Sequence, residues 1–195
     1  MERRGVQVLK ETEKSAEIKP ADNENKKKKT LKEIRSFVTI FFSAFLLLHV
    51  VISLRPVPTT SMEPTIPAHS VIAVWQLPFV LGNPVPSRGD VVVFYDAEDN
   101  YDAVKRCIGL PGDLISFRDG YVYLNGELLD ETYLKEQGST FCETAEFVVP
   151  ENCFFAMGDN RENSFDSRFT EDHFYRLDAI RGRCIAVFHI NRNTL

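Results

Sequence analysis

The chain has 195 residues, with 23 Lys/Arg against 28 Asp/Glu and a formal net charge of −5. The charge is uneven: residues 1–36 hold eleven Lys/Arg against seven Asp/Glu, while residues 55–195 hold twelve against twenty-one, a balance of −9. A main domain this acidic argues against a nucleic-acid partner, because phosphate binding needs a basic footprint.

The first 36 residues are charged, poor in aromatics and unpatterned, with a lysine block from Lys26 to Lys29. That composition predicts a disordered tail. Phe37 to Leu54 then runs without Asp, Glu, Lys or Arg. Eighteen helical residues cover roughly 27 Å, close to the hydrocarbon thickness of a bilayer. The run is apolar almost all round, whereas a core helix of a small domain keeps a polar face. It is also longer than a signal-peptide core, and no Ala-x-Ala site follows. Residues 37–54 therefore read as a single transmembrane anchor. The basic excess before it predicts an N-terminus in the cytoplasm and residues 55–195 across the membrane; the cell membrane is the expected location.

The remaining residues, about 140, suffice for one core. Their pattern is β. Val71–Trp75 and Asp90–Tyr95 are short, β-branched and bounded by Pro or Gly. Ile115–Phe117 and Tyr121–Leu124 flank Asp119-Gly120, and Asn125-Gly126 follows at once; both dipeptides are strong hairpin signals. Phe147–Val149, Phe154-Phe155 and Cys184–Ile190 add further strands, with one short helix or irregular connection over 169–180. The expectation is a mainly β domain of coiled antiparallel sheets, barrel-like, behind one N-terminal helix, with 114–150 as a short hairpin insertion. Cys107, Cys142, Cys153 and Cys184 all fall in this domain and allow three pairings in an oxidising space. Cys142 with Cys153 is one candidate, and Cys107 equally suits a small buried apolar position. No Cys/His spacing suggests a metal, and no cofactor motif is present.

Ser61 stands in a proline-studded stretch, Pro56-Val-Pro-Thr-Thr-Ser61-Met-Glu-Pro-Thr-Ile-Pro67, seven residues past the apolar run. At the maximal chain reach this is no more than roughly 25 Å from it. A serine nucleophile needs a base. His69, His173 and His189 lie outside any recognisable triad context. Lysine is scarce: Lys105 and Lys135 are the only two in residues 55–195. If the stretch 101–112 that holds Lys105 is a strand, Lys105 shares a face with Ala103 and Cys107. There its ammonium would be poorly solvated. Only about one lysine in 2,500 is neutral at pH 7 with an unperturbed pKa, so burial is what makes a lysine base possible. Arginine could not replace it. A third polar segment, Met157 to Arg168, is no calcium loop, because Arg161 would occupy a ligand position. It sets Asp159 and Asp166 beside Arg161 and Arg168, which predicts an ion-paired, structured loop.

Together these segments resemble type I signal peptidases, membrane-anchored Ser/Lys proteases. Ser61-Met62-Glu63-Pro64-Thr65 is similar to the family's nucleophile motif and Lys105-Arg106-Cys-Ile-Gly-Leu-Pro-Gly-Asp113 to its base motif. Gly158 to Arg168 matches the third box with Glu162 in place of Asp, and Gly89 to Phe94 matches an earlier box. The resemblance covers the anchor and nearly all of the domain. It implies Ser61 as nucleophile and Lys105 as general base. It further implies Thr59 and the Ser61 N–H as the oxyanion hole, Ser164 orienting Lys105, Asp166 holding the third box with Arg168, Asp159 and Arg161 as structural support, and Met62 lining the substrate cleft. The implied substrates are exported preproteins with small residues before the cut, met at a lipid bilayer. Thr60 departs from the family's usual Gly, and residues 114–150 are too short for a large second domain. The alternatives are an anchored Ser-His hydrolase and a non-catalytic anchored binding module. The Trp75–Leu81 segment is a candidate contact with the bilayer interface.

Overall fold

A computed structural model describes residues 20–82, 85–142 and 146–189, except for the side chains of 20–25, 46, 47, 49 and 50. The chain divides into two units, between Leu47 and Leu48.

The first unit is formed by helix α1, which spans Pro20–Val51 and continues past the unit boundary. Residues 20–36, for which composition predicted no fixed structure, are thus helical; lysine and glutamate lose little rotamer freedom in a helix. Residues 1–19 of the expected tail lie outside the described residues. Phe37, Phe41, Phe42 and Phe45 are exposed. Within the same run, Thr39 and Ser43 donate back to the carbonyls of Arg35 and Thr39, so their hydroxyls are satisfied inside the helix. Among the described residues no helix is long and apolar enough to cross a membrane. The side chains of 46, 47, 49 and 50, which belong to the expected anchor 37–54, fall outside that description. Ile52, Ser53 and Leu54, counted in the apolar run, instead open a strand, because Trp75, Val74 and Ala73 pair with them.

The second unit is mainly β. Its strands are β1 (Ile52–Val57), β2 (Ser70–Trp75), β3 (Val91–Asp96), β4 (Tyr101–Gly109), β5 (Leu114–Arg118) and β6 (Tyr121–Leu124). They continue with β7 (Glu127–Leu128), β8 (Glu146–Val148), β9 (Cys153–Met157), β10 (Tyr175–Arg176) and β11 (Ile180–Phe188), with a one-turn helix α2 (Leu77–Val80). Two antiparallel sheets result. The larger has the order β1-β2-β11-β3-β4-β9-β10, the smaller β7-β6-β5-β8. The 114–150 insertion is thus a four-stranded sheet rather than one hairpin. The larger sheet is open, with β1 and β10 at its edges.

Local sequence explains the turns. Asp119 and Gly120 have φ of 51° and 80°, and Asn125 and Gly126 have 54° and 88°. Each pair lies between directly paired strand ends, Arg118 with Tyr121 and Leu124 with Glu127. Positive φ at both central residues is the type I′ geometry that matches strand twist.

Three apolar clusters position the site. Val92, Phe94, Ala103, Cys107, Phe154, Ala156 and Tyr175 form part of the first. Phe117, Phe147, Phe155 and Met157 join the smaller sheet to β9 in the second, where Cys142 and Cys153 also pack. Val57, Met62, Ile66, Ile72, Val74 and Val93 form the third. The β4–β5 turn is pinned by buried Asp113, which pairs with Arg88 and accepts the Leu110 N–H at 2.8 Å and the Asn125 amide at 2.9 Å.

A methyl group added at Gly120 would fall on the carbonyl of Gly138, whereas at Gly126 it would meet open space. Gly126→Ala is expected to cost about 1 kcal/mol, the left-handed penalty alone, and Gly120→Ala more than about 2 kcal/mol. Urea unfolding of the two variants checks the ordering.

Candidate active site

The loop between β1 and β2 carries Ser61, and its backbone is held from both directions. Met62 and Ile66 are fully buried in the third cluster, and the Ile66 N–H donates to the Met62 carbonyl at 2.8 Å. From across the domain, the Asn160 N–H donates to the Ser61 carbonyl at 3.0 Å and its side-chain amide to the Thr60 carbonyl at 3.2 Å. The Ser61 hydroxyl, on a residue 9 % exposed, lies 3.4 Å from the Thr59 hydroxyl.

Lys105 sits on β4 with the alternation read from the sequence: Ala103, Lys105 and Cys107 are buried, while Val104 and Arg106 are only half-buried. Its cross-strand partner is Val92, which is wholly buried. Lys105 is 5 % exposed, and its ammonium donates to the Ser164 hydroxyl at 3.0 Å. Burial pulls its pKa below the ordinary lysine value, an effect the Asp166 charge opposes and the Arg168 charge reinforces. Cys107, two residues on, is simple core: burial pushes its thiol up to about 12, which removes it as a nucleophile.

The third segment follows β9 and is built on buried ion pairs. Asp166, 0 % exposed, accepts from Arg168 Nε at 2.8 Å and Nη2 at 2.9 Å, and from the Gly158 N–H at 2.9 Å. Burial alone would raise the Asp166 carboxyl. The Arg168 hydrogen bonds and charge, with those from Gly158 and Ser164, hold it below its usual value. Arg168 also donates to the Arg161 carbonyl at 2.9 Å and the Phe141 carbonyl at 3.2 Å.

The expected pairing of Asp159 with Arg161 does not occur. Asp159 binds Arg106 on the strand of Lys105, with Nε at 2.8 Å, and Arg161 binds Glu131 and Thr140. The register explains the exchange. Arg106 lies opposite Met157, so the chain leaving β9 passes it at Asp159, and a 3₁₀ turn at Arg161–Asn163 carries the next arginine away. Met62, expected in the cleft wall, is instead core.

A cleft of about 240 Å³ is lined by Ser61, Lys105 and Thr59 together with Pro56, Val57, Ala103, Val104, Asn163 and Phe165. Ser164 reaches the same site through its hydrogen bond to Lys105. Among the described residues no histidine lines it. His173 contacts the Ser167 carbonyl at 3.0 Å through Nδ1 and packs on Phe147 at 4.6 Å. Among the described residues no cluster could hold a metal ion.

Two positioning residues escaped the sequence reading. A methyl at Gly158 would overlap the Ser164 hydroxyl and the Ser61 carbonyl. Asn160 ties the third segment to the serine loop. Both lie in the third box, but nothing within that box names their partners in the serine loop, roughly a hundred positions earlier.

A family model described as "Signal peptidase, peptidase S26" matches residues 30–189. The chain is 33 % identical over 187 residues to a probable signal peptidase I-2 of Synechocystis sp., covering 93 % of this chain and 80 % of that protein. It is 35 % identical over 157 residues to signal peptidase I U of Bacillus subtilis, covering 73 % and 80 %. A crystal structure of a signal peptidase I from Enterococcus faecalis aligns with TM-score 0.45 at 32 % identity, over 51 % of this chain and 96 % of that one. The chain belongs to the signal peptidase family, peptidase S26.

The buried ammonium has a consequence for stability. Between the lowered folded-state pKa and the ordinary lysine value, the unfolded chain binds more protons, so stability rises with pH across that window. Below it the penalty is complete. Lys105→Met is therefore expected to be more stable than wild type at pH 7, with the difference shrinking as pH approaches the ordinary lysine value. Urea titrations at several pH values measure this.

Proposed function

We propose that the chain is a membrane-bound serine endopeptidase that removes N-terminal signal peptides from exported preproteins with a Ser61/Lys105 dyad. The observation that carries this reading is a buried lysine lining the same cleft as the serine of a held loop, with Ser164 orienting its amine. Neutral Lys105 takes the Ser61 proton as Oγ attacks the scissile carbonyl. The developing oxyanion receives hydrogen bonds from the Ser61 N–H and the Thr59 hydroxyl. Lys105 then passes its proton to the leaving amine as the C–N bond breaks. Water, deprotonated by Lys105, attacks the acyl carbonyl, and the lysine returns that proton to Ser61 Oγ as the ester C–O bond breaks. Asp166, already satisfied by Arg168 and Gly158, holds Ser164 in place without taking the proton. Asp159 and Arg161 brace the segment through Arg106 and Glu131. Small side chains are preferred before the cut because the cleft holds about 240 Å³ and is walled in part by Val57, Ala103 and Val104.

The apolar run of α1 serves as the anchor, with the basic N-terminal side cytoplasmic and the β domain outside the plasma membrane. The domain's exposed apolar residues support contact with the bilayer. Leu81 is 75 % exposed, and Val80, Val85 and Leu54 are exposed as well. Phe79, grouped with them by sequence, packs on the first core cluster instead.

Cleavage of a preprotein by wild type, Ser61→Ala, Lys105→Ala and Lys105→Arg tests the dyad. All three variants are expected to be inactive, and Thr59→Val to lose about 10²–10³ in rate. Wild-type kcat/KM should rise with pH through a midpoint below the ordinary lysine value. Retention of activity in Lys105→Ala with loss in His173→Ala would transfer the role to histidine.

For the membrane contact, Val80→Asp with Leu81→Asp is expected to release the domain lacking α1 from anionic liposomes in a flotation assay. Unchanged binding removes this patch from the reading.

A further inference from the structure

The cleft borders a second cavity that the chemistry above does not use. It has about 480 Å³ and is lined by Glu63, Pro64, Lys135, Glu136, Asn160 and Glu162 among others. Asn163 lines both spaces. Its side-chain amide donates to Asn160 Oδ1 at 3.2 Å, and Asn160 in turn holds the Thr60 and Ser61 carbonyls. The divider between the two spaces is therefore tied to the nucleophile loop itself.

The two spaces differ in chemistry. Around Ser61 and Lys105 the walls include Pro56, Val57, Pro58, Ala103 and Val104, and the one carboxylate among them, Asp102, is paired with Arg55 at 2.8 Å, so the space suits a small-residue, apolar segment. The second cavity is polar and charged. Of its ionised residues, Asp159 is neutralised by Arg106 and Arg161 by Glu131. That leaves Glu63, Glu136 and Glu162 against Lys135. Among the described residues Glu63 accepts the Ala68 N–H, at 3.2 Å, and forms no ion pair, and Glu136, Glu162 and Lys135 are exposed. The cavity carries an excess of negative charge.

We propose that this cavity receives the segment of the preprotein that follows the cut, and that it favours cationic side chains there. The inference rests on the peptidase reading and extends it to the other half of the substrate. With the attacked carbonyl at Ser61 and the preceding residues among the apolar walls, the chain beyond the scissile bond leaves past Asn163. Ser61 and Glu63 are two residues apart and face different spaces. An extended substrate advances at most about 3.3–3.6 Å per residue, so its second to fourth residues after the cut span roughly 7–14 Å from the serine. They arrive at the wall formed by Glu63, Glu136 and Glu162.

The experiment uses the full chain in detergent micelles and three preproteins that differ only at the second to fourth positions after the cut, carrying Lys, Gln or Glu. The readout is the ratio of kcat/KM for the Lys and Glu substrates, which a general loss of activity leaves unchanged. Wild type is expected to prefer Lys by about tenfold at low ionic strength, fading as salt rises. Glu136→Lys with Glu162→Gln should bring the ratio close to one, and Lys135→Glu should increase it. An equal ratio in all three proteins, with the Gln substrate still cleaved, overturns the assignment and leaves the peptidase reading standing. Failure to cleave any of the three preproteins overturns both.

Discussion

The site depends on keeping one ammonium group dry. Lys105 emerges from the strand face that also carries Ala103 and Cys107, opposite Val92, so its position in β4 commits it to a core environment. A charged amine there has little solvation to lose and much to gain by shedding its proton. The neighbouring charges are balanced so as not to undo this. Asp166 would stabilise the cation, but its carboxylate is already engaged by Arg168 and the Gly158 N–H. The arginine supplies the counter-charge that the lysine would otherwise provide.

That arrangement accounts for the polarity of the third segment. Eleven consecutive residues from Gly158 to Arg168 contain few apolar side chains, yet most of them are buried. Their burial is tolerated because each buried charge has a partner with good geometry: Asp159 with Arg106, Arg161 with Glu131, Asp166 with Arg168. Buried pairs of this kind are weak sources of net stability, and their retention suits a role in fixing geometry. Here they fix the distance between β4, the serine loop and Ser164. Gly158 completes the fit by leaving room for the Ser164 hydroxyl against the Ser61 carbonyl.

The two cavities extend the same division of labour. Mostly apolar walls surround the proposed dyad, with Asp102 neutralised by Arg55, and charged walls lie beyond Asn163. A substrate whose leading part belongs in lipid and whose trailing part belongs in water would meet surfaces of matching character on the two sides of one serine. The exposed apolar residues at Leu54, Val80, Leu81 and Val85 are the surface on which the proposed bilayer contact rests.

Much of this was legible from residue order alone. Type I′ turns at Asp119-Gly120 and Asn125-Gly126 follow from dipeptides that tolerate positive φ, and the burial of Lys105 follows from the two-residue period of a strand. Both are local rules, so local sequence suffices. The partners of Asp159 and Arg161 were not legible, because they depend on the register between β4 and β9, which sets Arg106 opposite Met157 across fifty residues of chain. The same holds for Asn160 clamping the serine loop, for Gly158 making room for the Ser61 carbonyl, and for Met62 turning into the core rather than the cleft. Short-range chemistry determined which side chains could react and which turns could form. Only long-range packing decided which of them meet, because a contact between distant segments is set by how the sheets align and not by any pattern within either segment.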